Sequence, residues 1–257
     1  MSIDQAAPLL CAEQLALARQ DRREGRRYRM VATSIRLRDG DRYAIAAPNG
    51  AGKSTLLSVL SLMHAPDTAV RFEILRADGT RIDLAFRGGH ARKDVLQALR
   101  AREIGSIRHA GMEVPFLTVN DYLALRLRLA GRASVALPAA VTESLGLAPL
   151  LAAKPRQLSQ GQRQRMAIAA ALAPQPRFVF ADEPTASLDA QWAPRVMDLL
   201  AQYRSAQGRG AVLVATHDPD LAAAAGFTVI GPQDHAVDEN GVATWTFAVG
   251  PEARIHA

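Results

Sequence analysis

The chain has 257 residues, 49% hydrophobic and 22% charged, a composition that excludes intrinsic disorder and allows one large domain or two small ones. Its 31 Lys+Arg against 25 Asp+Glu leave a formal charge of +6, an excess suited to nucleic acid, an anionic membrane face or acidic ligands. The single cysteine, Cys11, excludes an internal disulfide framework and fits a reducing compartment. In chain order, the N-terminal stretch MSIDQAAPLLCAEQLALARQ lacks the basic start and long apolar core of a signal peptide. The arginine-rich RQDRREGRRYR that follows reads as a solvated basic face. Strands are expected at MVATSIRL and RYAIAA.

Between RYAIAA and the expected helix GKSTLLSVLSLM lies APNGAGKST, a stretch that buries almost nothing but turns many polar groups toward one point. Asn49, Gly50, Ala51, Gly52, Lys53, Ser54 and Thr55 form a phosphate cradle at the positive end of that helix. Lys53 is expected to reach the β- and γ-phosphates, and the Ser54 hydroxyl to complete a magnesium shell. Ala47 stands where such loops usually begin with glycine; alanine is strained there only if φ is positive. A glycine turn that merely caps a helix is the bland alternative, and lysine followed by Ser-Thr speaks against it.

Further along, a strand AVRFEILRA, a helix DVLQALRAR and a strand REIGSIRH are expected. From Pro115 to Gln160 the alternation breaks: TVNDYLALRLRLAG is helical, no convincing strand follows, and the segment reads as an inserted helical subdomain. LSQGQRQRMAIAAALA leads a Ser-Gln-Gly loop into a helix, a second anion-binding helix start strengthened by Arg163 and Arg165; a plain helix cap competes with that reading. In FVFADEPTASLD an apolar strand delivers two carboxylates to a sheet edge. Asp182 suits a place beside a magnesium ion, and Glu183 can act as general base on an attacking water. An acidic helix cap ahead of a proline turn is the competing reading. The helix PRVMDLLAQYRSAQG and the strand AVLVATH follow, the latter ending in His217, which can contact a terminal phosphate; FTVIG is the last expected strand. The most apolar runs, MAIAAALA and LAAAAGFTVIG, are too short to span a bilayer, so any membrane role runs through a partner chain. The alternation gives an α/β fold with a largely parallel core. Strands before Ala47 and around Val70 to Arg76 are expected to form a separate antiparallel layer.

In this order the pieces resemble the nucleotide-binding subunit of an ABC transporter: APNGAGKST, LSQGQ, FVFADE, SLD and the His217 of VLVATHD. The resemblance implies a P-loop NTPase with a RecA-like parallel core, an antiparallel β layer and an inserted helical subdomain. The whole chain is then one ATPase domain, with 1–108 and 161–257 as core and β layer and 109–160 as the helical subdomain. ATP and Mg2+ are implied as ligands, and so is a head-to-tail homodimer in which Ser159, Gly161 and Gln162 face the γ-phosphate held by the Lys53 of the other copy. Asp189, in the SLD loop, joins the nucleotide contacts. Transmembrane permease subunits are the implied partners, nucleic acid is not, and the implied location is the cytoplasmic face of the inner membrane. PFLTVNDYLAL resembles the lipoprotein-releasing, macrolide-export and cell-division-type cassettes.

Three positions depart from the family pattern. His109 replaces a glutamine that senses magnesium and water; because a hard cation disfavours imidazole nitrogen, His109 is expected to hold the attacking water or contact a phosphate and not to ligate the ion, with a strand end that points away from the site as the competing reading. The aromatic that stacks on adenine is missing from QDRREG, with Tyr28 as its substitute. Gln160-Gly161 replaces a Gly-Gly pair. Two other readings stand beside the transporter ATPase. Ala47 and His109 motivate a weakly hydrolysing regulatory or structural cassette. The positive charge motivates a soluble cassette acting on nucleic acid, which the absence of a second cassette or sustained heptads opposes.

Overall fold

The computed structural model describes residues 7–20, 27–76, 78–85, 93–108, 114–132, 139–206, 208, 210–253 and 255. Five strands form an all-parallel sheet: β3 (Arg42–Ala46), β6 (Ile104–Ile107), β7 (Phe178–Asp182), β8 (Ala211–Thr216) and β9 (Thr228–Ile230), in the order β6-β7-β8-β3-β9. Their side chains alternate between two cores, as period-2 geometry requires of a sheet covered on both faces. Ile45, Phe178, Phe180, Leu213 and Ala215 face one core; Ala44, Ala46, Val179, Ala181, Val212 and Val214 face the other.

The first core also holds α1 (Lys53–Leu60) and the inner face of a second sheet. That sheet comprises β1 (Leu10–Gln20), β2 (Arg27–Leu37), β4 (Arg71–Leu75), β5 (Arg81–Asp83), β10 (Asp234–Val237) and β11 (Ala243–Val249), in the order β10-β11-β2-β1-β4-β5. Its pairs are antiparallel except β11 on β2, which run parallel. Leu56, Leu57, Val59 and Leu60 of α1 thus fill the space between the two sheets. The second core packs α3 (Val119–Leu129), α5 (Gln160–Leu172), α6 (Trp192–Ala201) and α7 (Pro219–Ala224) onto the opposite face of the parallel sheet. Among the described residues the other α-helices are α2 (Lys93–Arg102) and α4 (Ala139–Ser144), and single 3-10 turns lie at Ala148–Leu150 and Pro155–Gln157.

The expected antiparallel layer exists, with one correction. RYAIAA, which ends at Ala47, supplies β3 of the parallel sheet; only MVATSIRL and FEIL-containing β4 of the expected early strands lie in the outer layer. The reason is its sequence: Ala44, Ile45 and Ala46 are apolar on both faces, which suits a strand covered on both sides. Among the described residues from 114 to 160 there are helices and short turns but no strand. His109 and the arginines at 22, 23 and 26 lie outside the described residues.

Candidate nucleotide-binding site

Three strand ends meet at one edge of the parallel sheet. In register, Ala46 of β3 lies beside Thr216 of β8, and Asp182 of β7 lies beside Ala215. The loop after β3, the carboxylates after β7 and His217 after β8 therefore emerge together at the carboxyl edge, where open α/β sheets hold ligands. They border a cavity of about 480 Å³ lined by Tyr28, Pro48, Asn49, Gly50, Ala51, Gly52, Lys53, Ser54, Thr55, Asp182, Glu183, Ala186 and His217.

Local backbone geometry explains the glycines. Gly52 caps α1 with φ 92°, and a Cβ there would lie 3.1 Å from Met30 Cβ. Only glycine accepts both that φ and that neighbour. Ala47 is not among the residues with positive φ, so alanine at that position is unstrained and one argument for a disabled cassette falls away. Lys53 is 6% exposed, and its Nζ donates to the carbonyls of Ala47 and Pro48. Burial pulls its pKa down, against the pull of Glu183 and Asp182.

Ser54 Oγ donates to Asp182 Oδ1 at 3.0 Å. Tyr28 and Thr55 share a hydroxyl–hydroxyl hydrogen bond of 3.0 Å, which lays the phenol against the loop. Glu183 takes a positive φ of 48°, an uncommon conformation for a non-glycine residue. His217 Nε2 stands 3.0 Å from Glu183 Oε1, yet that oxygen is buried and, among the described residues, accepts no hydrogen bond of good geometry. Burial raises the Glu183 pKa, with His217 and Lys53 opposing.

Of the remaining expected site residues, Ser159, Gly161, Gln162 and Asp189 do not line this cavity. Ser159 is the N-cap of α5: its Oγ accepts from Gln162 N at 3.2 Å while its own N–H donates to Gln162 Oε1 at 2.8 Å. Asp189 Oδ1 accepts from the N–H groups of Gln191 and Trp192 at 3.0 and 2.9 Å, which starts α6. Arg165 corrects an expectation. Instead of serving an anion at the start of α5, its guanidinium is buried, donates to the Leu145 carbonyl and lies 3.8 Å from the centroid of the Trp192 ring. One turn into α5 its side chain faces the protein interior, so helix periodicity decides against the loop. Sequence reasoning also missed Pro48 and Ala186 in the cavity lining, since neither carries a chemical signal.

The family model described as ABC transporter matches residues 31–186. The chain belongs to the ABC transporter family. A second model, for an AAA domain, matches residues 151–223 of this cassette. The cassette is 37% identical over 196 residues to the lipoprotein-releasing system ATP-binding protein LolD of Legionella pneumophila (strain Paris), covering 75% of this chain and 82% of that protein. It is 38% identical over 198 residues to the LolD of Bordetella avium (strain 197N), covering 75% and 80%. Among solved structures it resembles the dimeric bacterial ABC transporter cassette MJ0796 (TM-score 0.64, 26% identity, 86% of this chain and 93% of that one). A dimer of the same cassette bound to ADP and Pi in a post-hydrolysis state gives a TM-score of 0.63 at 25% identity, with the same coverage. These matches bear out the P-loop NTPase fold and the resemblance to lipoprotein-releasing cassettes.

Proposed function

We propose that the ATPase built on these residues powers a membrane transporter by closing head to tail on a second copy of itself. The observation that carries this reading is the division of the site. The phosphate machinery surrounds the cavity, while the capped start of α5 does not line it. A second copy brings Ser159, Gly161 and Gln162 to the exposed side of the nucleotide. The dimeric state of the related cassette MJ0796 supports this arrangement.

Within one subunit each residue has a defined task. The N–H groups of the loop from Asn49 to Thr55 surround the phosphates, and Lys53 leaves its carbonyl partners to neutralise the terminal ones. Tyr28 covers the loop at the side where a base would lie. Glu183 accepts the proton of the attacking water through its carboxylate, and His217 contacts the γ-phosphate. Asp189 holds the loop that meets the other subunit. Mg2+ fits the Ser54–Asp182 pair, an oxygen-only donor set. Among the described residues no group of three or more acidic, histidine or cysteine side chains could hold a metal. The protein thus offers few ligands, as expected of an ion that shares substrate phosphates and neutralises their charge when bound.

We assign residues 109–160 to a helical subdomain, of which Tyr122 and Arg126 border a groove. That groove, about 250 Å³, is bordered by Met63, Arg100, Arg108, Tyr122 and Arg126, a basic surface that suits a cytoplasmic loop of a permease subunit. Attachment through such partners places the cassette on the cytoplasmic face of the inner membrane. The cargo class follows the permease. The deciding experiment is size-exclusion chromatography of the E183Q protein with saturating ATP. A species of twice the monomer mass is expected, and a monomer would overturn the head-to-tail reading.

A further inference from the structure

Trp192 and Arg165 carry no part of the nucleotide cavity, yet they join three elements. The guanidinium of Arg165, on α5, lies 3.8 Å from the Trp192 ring centroid, on the first turn of α6. Its Nη1 donates to the Leu145 carbonyl at the end of α4. Gly146 closes the arrangement: at φ 59°, a Cβ there would lie 2.7 Å from Trp192 Cη2 and 2.8 Å from Arg165 Nη1. No other side chain fits. A second guanidinium, that of Arg195, stands 5.3 Å from the same ring.

Arg165 is 8% exposed and, among the described residues, its Nε is buried without a hydrogen-bond partner. A buried guanidinium with an unused donor is a poor space-filler, because an apolar side chain would pack there without the desolvation cost. What the guanidinium adds is a flat, oriented face against indole.

The first turns of α5 also touch the loop that precedes α6. Gln160 Nε2 donates to Ser187 Oγ at 3.0 Å, Gln164 Nε2 donates to the Pro184 carbonyl at 3.2 Å, and Gly161 lies against the Ser187 carbonyl. The buried face of α5 from Met166 to Leu172 seats the helix in the second core, and the contact between Arg165 and Trp192 adds a second attachment between its first turns and the segment that runs from Ser187 into α6. Trp192 is in turn tied to the loop by its N–H bond to Asp189.

We infer that Trp192 is a positioning residue: by clamping Arg165 it makes the start of α5 and the loop from Ser187 to Asp189 one rigid body, so that Ser159 meets the nucleotide of the second subunit at a fixed angle. This inference rests on the head-to-tail reading. It assigns Trp192 to the closing of the dimer and not to the capture of ATP by one subunit.

The test uses the full chain in the E183Q background and compares W192A, W192F and R165K. Binding of a fluorescent ATP analogue at concentrations where the protein is monomeric should change by less than about twofold in all three, because none lines the cavity. The protein concentration at which ATP drives half dimerisation should rise about tenfold for W192A. W192F should recover part of that loss, since a phenyl face still accepts a guanidinium, whereas R165K should resemble W192A despite keeping its charge. If W192A dimerises as E183Q alone does, or if its monomer loses ATP binding in step with dimerisation, the clamp is wrong. If E183Q itself stays monomeric with ATP, the head-to-tail reading fails and takes the clamp's role with it.

Discussion

Glu183 is held between opposed forces: burial favours its neutral form, while Lys53 and His217 favour the carboxylate. Replacement by glutamine removes the proton acceptor but keeps the shape. Turnover of E183Q should therefore fall by about 10²- to 10⁴-fold with ATP binding retained, as measured by phosphate release beside equilibrium binding. The raised pKa also sets a sign for stability. A carboxyl whose folded pKa lies above its unfolded value is fully stabilising below the unfolded value, and that contribution disappears as pH rises through the folded one. Glutamine mimics the protonated form at every pH. E183Q should thus melt higher than the parent at pH 8, by roughly 2 °C, and the gap should close below the ordinary glutamate range. An equal gap at both ends would disprove the burial argument. At Gly52, G52A adds a methyl group 3.1 Å from Met30 Cβ at a φ of 92°. It should cost about 1–2 kcal/mol in chemical denaturation and abolish ATP binding. The lysine, hydroxyls and paired carboxylates were legible in the sequence because each motif is a contiguous run whose chemistry depends on neighbours in the chain. The inward turn of Arg165 and the Tyr28–Thr55 bond were not, since they join residues 27 apart or on different elements.

Elements were legible where local preference and tertiary demand agreed. The parallel strands PRFVFAD and AVLVATH are apolar runs rich in β-branched or aromatic residues, and they became β7 and β8. β1 was illegible. LCAEQLALARQ is composed largely of helix formers, and it is a strand because it lies between β2 and β4, with a ladder to β2 from Leu10 to Gln20 that is interrupted at Gln14. β11, ATWTFAV, has strand character but sits far from its partner β2, and no local turn announces the pairing. At α5, the serine expected to face a second nucleotide is also the helix N-cap, so removing it has two consequences. S159A should cost about 1 kcal/mol of stability through the lost cap. It should also weaken ATP-driven dimerisation while sparing ATP binding by the monomer. S159T, which still caps the helix, separates the two: restored melting with impaired dimerisation assigns the hydroxyl's position to the interface. Unimpaired dimerisation in S159A itself would leave capping as the serine's whole role.

For the whole molecule, no helix among the described residues is long and apolar enough to cross a membrane. In the proposed reading, coupling to transport passes through surface contacts, and the groove lined by Arg100, Arg108 and Arg126 is the basic surface proposed for it. Arg108 is exposed, so reversal of its charge tests the contact with little risk to the core. R108E should reduce copurification with membrane subunits about tenfold at low salt, read by affinity pull-down of detergent extracts. Retention equal to that of the parent would place the docking surface elsewhere. The strand order β6-β7-β8-β3-β9 has a consequence for biosynthesis. β3 and β7, which carry the phosphate loop and the carboxylates, are not neighbours; β8, made later than both, lies between them. A ribosome that has released the first 200 residues has therefore produced both halves of the site without the strand that joins them. Until Ala211–Thr216 emerges, the apolar flanks of β3 and β7 stay open to chaperones and to the wrong partners. A nascent chain stalled before β8 is then unable to bind ATP, and the nucleotide becomes a ligand only in the last fifth of translation.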